Sequence, residues 1–366
     1  MKKVLHYKTR FLNKSETFIN RLVQNHQRYH PIALCYKRKR YAEGISVFEA
    51  PKKGVEAALN FIAFHANLSL PYYRKILKGQ RPDLIHAHFG YDAVKLLKLS
   101  NKLDIPLVVS FYGADVSRLP TESGWKQRYK KLAKEGYHFI AASEFMRLQL
   151  QELGFPEEKI SVVRFGIRLE NSKYVENSFN KPRLMMVGRM VEKKGFQYAI
   201  RGVSELKNRG YSPEFNIYGD GPLMDSLVRL VSELRLEDSV HFHGYQPVEK
   251  ILDAHHNHTI LLAPSVTAGD GDMEGLPNTI LEAMAKGTVV IASRHAAIPE
   301  VIREGETGFL VEERNSRQLA DRMEEIFSNG LNLDSIRRNA RELIVQKYTV
   351  EQMVRNVEKI YDKILD

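Results

Sequence analysis

The chain has 366 residues, 43% of them hydrophobic, which suggests two domains of ordinary size, each with its own core. Its 55 Lys+Arg against 44 Asp+Glu give a net charge of +11, and its single cysteine, Cys35, excludes an internal disulfide and favours a reducing cytoplasm. The apolar runs TILLAPS and TVVIAS are too short to span a bilayer, and the opening MKKVLHYKTRFLNK lacks a long apolar stretch, so neither a membrane span nor a signal peptide is expected.

Residues 1–170 carry +15 and residues 171–366 carry −4. The basic half holds KRKR at Lys37–Arg40, Lys52-Lys53 and KQRYKKLAKE from Lys126. Such a surface is either plain solvated polarity or a docking face for something anionic. A bilayer rich in acidic lipid is one candidate, which would place the chain peripherally on the inner face of the cell membrane. No zinc-finger, RNP or basic-zipper signature is present, so no nucleic-acid partner is expected.

Along the chain, short apolar runs alternate with amphipathic helical runs, twice over. Strands are predicted at Val4–Tyr7, Pro31–Tyr36, Leu84–His88, Leu107–Phe111, Phe139–Ala142 and Val162–Phe165. ETFINRLVQNH and SEFMRLQLQEL read as helices between them. After a polar, non-periodic stretch at Arg168–Arg183, strands recur at Leu184–Val187, Phe215–Tyr218, Val240–Phe242, Ile260–Ala263 and Val289–Ala292. FQYAIRGVSELKNRG, PLMDSLVRLVSELRL and TILEAMAKG supply the intervening helices. This alternation predicts an α/β protein with two Rossmann-like, doubly wound parallel sheets, and ligands at the carboxyl ends of the strands in a cleft between the domains. The boundaries are expected at 1–168 and 169–350, with an amphipathic helix at about 351–366, spaced by Met353, Val357, Ile360 and Ile364.

GDMEGLPNTILEAMAKG carries the most chemistry. Pro277 suits the first turn of a helix and Gly287 the residue past its end, which predicts a helix over Asn278–Lys286. The free N–H groups at its start, near Glu274, Gly275 and Leu276, suit phosphate or sugar oxygens. Glu282 lies on the second turn among apolar neighbours and needs donors, which ribose hydroxyls would supply; Glu274 would accept from a sugar across the phosphates. The alternative is that Glu282 faces solvent and Glu274 caps the helix.

LMMVGRMVEKKG places Gly188, Arg189 and Lys194 on a strand-to-helix loop, where two cations would neutralise a diphosphate without a metal, or simply lie exposed. In YGDGP, Gly219 and Gly221 would let backbone approach a phosphate or base, although D-G is also an ordinary turn. In the first half Ser15 would cap the helix entered at Thr17. His86 and His88 share one strand face, and Tyr112 and Asp115 follow the next strand. Asp270-Gly271-Asp272 has the form of a metal-binding pair but lies in a loop expected to be flexible. The clusters His86/His88 and His255/His256/His258 lack a justified third-ligand pattern, so no metal is expected.

GRMVEKKG, GDGP, EGLPNTILEAMAKG with its paired glutamates, and PEVIREGETGFLV, in that order, resemble the retaining glycosyltransferases of group 1 (family 4). The likeness extends over the whole chain and is strongest over Met186–Val311; SETFI and GDMEGLP are similar to the bacterial exopolysaccharide, colanic-acid and lipopolysaccharide subgroup. It implies the GT-B fold and a metal-independent hexosyltransferase that moves a sugar from a nucleotide-sugar, UDP-sugar before GDP-sugar, to a saccharide or lipid-linked acceptor, with no cofactor. Arg189 and Lys194 would bind the donor diphosphate, Glu282 the ribose and Glu274 the transferred sugar. Gly275–Asn278, with Pro277, would hold that sugar and its phosphates, and His243, Gly244 and Tyr245 would frame the base. His88, Gly113 and Asp115 would line the cleft from the N-terminal side.

Three positions depart from the family pattern. Ser15-Glu16-Thr17 stands where many members have a glycine pair, Tyr112 where many have histidine, and Ala296-Ala297 where a Gly-Gly is frequent. A nucleotide-sugar epimerase of the same fold, a two-carboxylate hydrolase and a basic nucleic-acid- or membrane-binding module are the rival readings.

Overall fold

The computed structural model describes residues 1–11, 16–39, 44–65, 70–169, 183–328 and 331–366; Ser15, Arg40 and most of the predicted linker lie outside them. The chain divides into two compact units, Met1–Gly166 with Val350–Asp366, and Ile167–Thr349.

The strands of the first unit are β1 (Lys3–Tyr7), β2 (Arg10–Phe11), β3 (His30–Cys35), β4 (Lys37–Arg38), β5 (Ser46–Glu49), β6 (Leu84–His88), β7 (Leu107–Phe111), β8 (His138–Ala141) and β9 (Ile160–Val162). Its helices are α1 (Thr17–Gln24), α2 (Gly54–His65), α3 (Pro71–Gln80), α4 (Gly90–Lys102), α5 (Trp125–Glu135) and α6 (Glu144–Glu152). Seven strands form a sheet in the order β5-β3-β1-β6-β7-β8-β9, parallel throughout. β6 and β7 are buried at every position, as strands covered on both faces of a parallel sheet are.

The second unit contains β10 (Arg183–Val187), β11 (Glu214–Tyr218), β12 (Val240–Phe242), β13 (Ile260–Ala263), β14 (Val289–Ser293) and β15 (Phe309–Val311). Its helices are α7 (Phe196–Asn208), α8 (Met224–Glu233), α9 (Val248–Ala254), α10 (Asn278–Lys286), α11 (Ser316–Phe327) and α12 (Leu333–Lys347). Its parallel sheet runs β12-β11-β10-β13-β14-β15, the doubly wound order whose direction of winding reverses beside β10. The last helix, α13 (Val350–Leu365), belongs to the first unit. It buries Met353, Val354, Val357 and Tyr361 against Val4, Leu84, Val108 and Ile140.

Two local expectations change. Pro277 is the residue before α10, not its first turn, with an extended ψ of 125°. α1 begins at Thr17 with Glu16 before it and no side-chain cap, so its start depends on burying Ile19, Leu22 and Val23.

Candidate functional site

In a doubly wound sheet, ligands bind outside the carboxyl ends of the strands where the winding reverses. In the second unit that place is formed by the loops leaving β10 and β13. Glycine brings these loops together. Gly195, at φ +73°, precedes α7, and a Cβ there would lie 1.9 Å from the Pro264 carbonyl oxygen. The Val266 N–H donates to the Lys193 carbonyl at 2.9 Å, stitching the loops.

The cations of the first loop therefore meet the carboxylates of the second. Lys194 Nζ lies 3.0 Å from Glu274 Oε2, and Lys193 Nζ lies 3.4 Å from Glu274 Oε1 and 3.1 Å from Asp272 Oδ2. The Lys194 stem passes over Gly188. Glu274 is 12% exposed at its side chain. Burial pushes its carboxyl up, but the Lys194 and Lys193 ammonium groups outweigh that and hold it below the usual carboxylate range. The Glu274 backbone N–H donates to His295 Nε2 at 3.2 Å, so the His295 proton sits on Nδ1, 2.5 Å from Glu313 Oε1. Glu313 also accepts from the Thr267 N–H at 3.0 Å. This His295–Glu313 brace fixes the backbone at Glu274, and the sequence reading did not find it.

Asp272 is engaged by Lys193, and its N–H donates to Asp270 Oδ1 at 3.0 Å. The loop expected to be flexible is thus tied down. Arg189, in contrast, is exposed on the loop beyond β10 and does not share the Lys194 cluster.

On α10, Leu276 and Pro277 at the entrance are buried and Gly275 and Asn278 are half-buried. Asn278 Oδ1 is enclosed with no hydrogen-bond partner among the described residues. Glu282 is half-buried rather than embedded, because it shares the Asn278 side of the helix one turn on while Leu281 and Ala283 face the core. At the end of β11, Gly219 at φ +141° would place a Cβ 1.8 Å from the Gly188 carbonyl oxygen, and a Cβ on Gly221 would meet Met190 O at 2.6 Å. These glycines close β10 on β11. His243 stacks on Tyr218 at 4.7 Å and donates from Nε2 to Asn216 Oδ1 at 2.6 Å, while Tyr245 is exposed. Burial pushes the His243 imidazole down.

In the first unit, the loop after β7 is built on Asp115. Its carboxylate accepts from the N–H groups of Tyr112 at 3.0 Å, Gly113 at 2.9 Å and Gly90 at 3.1 Å, although burial raises its pKa. Asp115 and His88, expected to line the cleft from the N-terminal side, are fully buried at their side chains. His88 Nδ1 pairs with the Tyr112 hydroxyl at 2.7 Å and its Nε2 with His6 Nδ1 at 3.0 Å. His6 continues to His26, and His26 to Glu358 on α13, at 3.0 and 3.1 Å. His6, His86 and His88 bring ring nitrogens within 4.8 Å of one another, so His6 is the third partner the sequence did not reveal. Both nitrogens of His86 already face the Tyr361 and Ser110 hydroxyls, and those of His6 and His88 face His26, each other and Tyr112, so hydrogen bonding occupies the directions a metal would need. Lys8, also missed, is buried between Glu16 and Asp92 at 3.4 and 3.7 Å, with its ammonium 4.0 Å over the Phe89 ring.

Comparison with known proteins matches this arrangement to a family. Residues 169–343 match "Glycosyl transferases group 1" and residues 16–171 match "Glycosyltransferase Family 4". The putative colanic acid biosynthesis glycosyltransferase WcaL of Salmonella typhimurium is 31% identical over 77% of this chain and 71% of its own length. The amylovoran biosynthesis glycosyltransferase AmsK of Erwinia amylovora is 36% identical over 65% of this chain and 60% of its own. The chain thus spans about 60–71% of the length of these curated relatives. Among solved structures, HepE of Anabaena in complex with UDP-glucose superposes with a TM-score of 0.82 at 17% identity, covering 99% of this chain and 100% of that one. A glycosyltransferase from Rickettsia africae superposes with a TM-score of 0.78 at 19% identity, covering 100% and 99%.

The two parallel-sheet units define the GT-B fold. The chain belongs to the group 1, family 4 glycosyltransferases.

Proposed function

We propose that this protein is a metal-independent, retaining hexosyltransferase of bacterial cell-surface polysaccharide synthesis. It moves a sugar from a UDP-sugar to a hydroxyl of a saccharide or lipid-linked acceptor. The relatives named for colanic acid and amylovoran synthesis support the pathway class, and HepE, which holds UDP-glucose, supports the donor class. The observation that carries the reading is the Lys193/Lys194/Glu274 cluster beside β10 and β13.

The diphosphate of the donor takes Lys194 from Glu274, and Arg189 adds a second cation from the loop beyond β10. The charge that develops on the departing diphosphate is then met by groups already in place. Glu274, ionised and backed by His295, is freed to accept hydrogen bonds from the transferred sugar. The half-buried Glu282 takes the ribose hydroxyls, the N–H groups at the start of α10 take sugar and phosphate oxygens, and His243, Gly244 and Tyr245 frame the base. The acceptor hydroxyl attacks the same face of the sugar that the diphosphate leaves, and a leaving phosphate oxygen takes its proton. Lys193 already neutralises Asp272, and Lys194 with Arg189 does the work a divalent cation would do.

The test is a thermal-shift panel of nucleotides and nucleotide-sugars, followed by NMR assignment of the anomeric configuration of the product. UDP and UDP-sugars should raise Tm by an amount equivalent to about 2.7 kcal/mol at a hundredfold excess over Kd. Stabilisation by GDP compounds alone would replace the base, an inverted product would remove the retaining assignment, and no shift with any nucleotide would remove the whole reading.

A further inference from the structure

α2 is apolar on its outer side as well as its inner one, where Ala63 and Phe64 pack on the core. A surface helix ordinarily turns apolar side chains to the core and polar ones to water. Here the water-facing arc carries Val55, Ala58, Leu59, Phe61, Ile62 and His65. Val55 is 79%, Leu59 51%, Phe61 56% and Ile62 63% exposed, four large apolar side chains in eight consecutive residues. At 100° per residue, Val55, Ala58, Leu59 and Ile62 fall within one third of the helix circumference and form a stripe. On the inward side stands Asn60, wholly buried, its Oδ1 accepting from the Tyr72 N–H at 3.4 Å. Scattered exposed apolar residues need no explanation, but a contiguous stripe with only His65 as a polar neighbour, at its far end, does.

The charges around the stripe indicate what covers it. From Pro51 to Gln80 the sequence holds five basic residues, Lys52, Lys53, Arg74, Lys75 and Lys78, against one acid, Glu56. All five basic residues are exposed and Glu56 is half-buried. Lys52 is paired with Glu49 at 2.8 Å; the other four extend the positive rim along the approach to α2 and along α3, which packs beside it. A second copy of this chain docking through a two-fold axis would bring like charges together, which disfavours self-association. A protein partner would need both an acidic rim and a matching apolar ridge, whereas an anionic bilayer offers both over a continuous plane. An apolar stripe flanked by cations is the form of a helix that lies in the plane of a membrane interface.

We propose that α2 is such an interfacial anchor. The Val55, Leu59 and Ile62 face enters the boundary between headgroups and acyl chains, and Lys53, Arg74, Lys75 and Lys78 meet the lipid phosphates. The two signals act together, since neither a short apolar stripe nor a few cations holds a protein of this size stably alone. This surface does not depend on which nucleotide the second unit binds. It would present the first unit to an acceptor carried on lipid.

The experiment is co-sedimentation of the full chain with vesicles of phosphatidylglycerol and phosphatidylcholine, against phosphatidylcholine alone, at low and high salt. The protein should partition onto the anionic vesicles at low salt and leave them at high salt. The Leu59→Ser/Ile62→Ser variant, altered only at exposed positions, should keep its melting temperature and lose at least ~10-fold in partitioning. Lys75→Glu/Lys78→Glu should lose more than ~25-fold, from roughly fivefold for each cation removed. Thermal shift by UDP on the same variants should be unchanged, which separates this surface from the donor site. Failure of the wild type to bind anionic vesicles, or equal binding by wild type and Leu59→Ser/Ile62→Ser, overturns the proposal. So does a wild-type dimer in sedimentation velocity that the serine variant abolishes, which would assign the face to a second copy.

Discussion

Each unit carries lysine on the loop leaving its first strand and treats it differently. At the carboxyl end of β1, Lys8 is 3% exposed and enclosed by Glu16, Asp92 and the Phe89 ring. Asp92 is itself saturated by the Thr9 N–H at 3.0 Å and by Lys95. At the carboxyl end of β10, Lys193 and Lys194 are each 17% exposed and share Glu274. A cation enclosed on all sides cannot change partner without leaving a buried charge unpaired, which costs several kcal/mol. Lys194, part-exposed and with Glu274 as its carboxylate partner, can. The first arrangement braces a fold; the second is the one proposed to take an anion.

Substituting the residue that brings the second pair together is the strongest way to break this contrast. Gly195→Ala forces a Cβ onto the Pro264 carbonyl at φ +73° and should cost at least ~3 kcal/mol in urea unfolding, with loss of nucleotide binding. A loss below ~1 kcal/mol would mean the loops adjust and the cluster is not rigidly built.

A second test uses pH. Burial holds His6, His86 and His88 neutral, with His86 pushed down to about 3. Unfolded histidine binds its proton near pH 6.5, so below that pH the unfolded chain takes up protons that the folded chain does not. Their stability is therefore fully present above pH 6.5 and falls as pH drops, by roughly 1.4 kcal/mol per pH unit for each histidine. In the second unit His255 has the same character, while the contribution of Glu274 is constant over this range and is lost only as pH falls through its depressed carboxylate range. Hydrogen exchange from pH 7 to 5 should show the strands of the first unit losing protection before those of the second. Equal loss would deny that the histidine chain is a neutral buried network.

The smallest effect is expected at Ala296, which sits at φ +45°. Ala296→Gly should gain about 0.5–1 kcal/mol of stability by relieving left-handed strain. No gain would mean the surrounding turn already relaxes it.

Much of the fold was legible because both sheets are parallel and covered on both faces. Leu84–His88, Leu107–Phe111, Val240–Phe242 and Ile260–Ala263 stand as short, largely apolar runs and appear with the same ends. β5 and β15 were missed: β5 is a half-buried edge strand and β15 only three residues after a turn, and neither has a pattern long enough to read. α2 was missed because its apolar residues do not follow a core-facing period. The span of α10 was legible from loop chemistry, Gly287 ending the helix at φ 83°, and the same chemistry singled out Lys194 and Glu274 as candidates. Lys193, His295 and Glu313 were not, because their contacts join residues far apart in the chain and only the closed loops bring them together. The same holds for His6, His26 and Glu358.

The central claim is that Lys194 holds the donor diphosphate and Glu274 the sugar. Calorimetric titration of UDP, and of UDP-sugar with turnover, into the wild type, Lys194→Ala and Glu274→Gln tests it directly. The account predicts UDP binding at least ~50-fold weaker in Lys194→Ala, and within about threefold of wild type in Glu274→Gln, which should lose ~10²–10³-fold in transfer instead. UDP affinity unchanged by Lys194→Ala, or transfer unimpaired in Glu274→Gln, would contradict it.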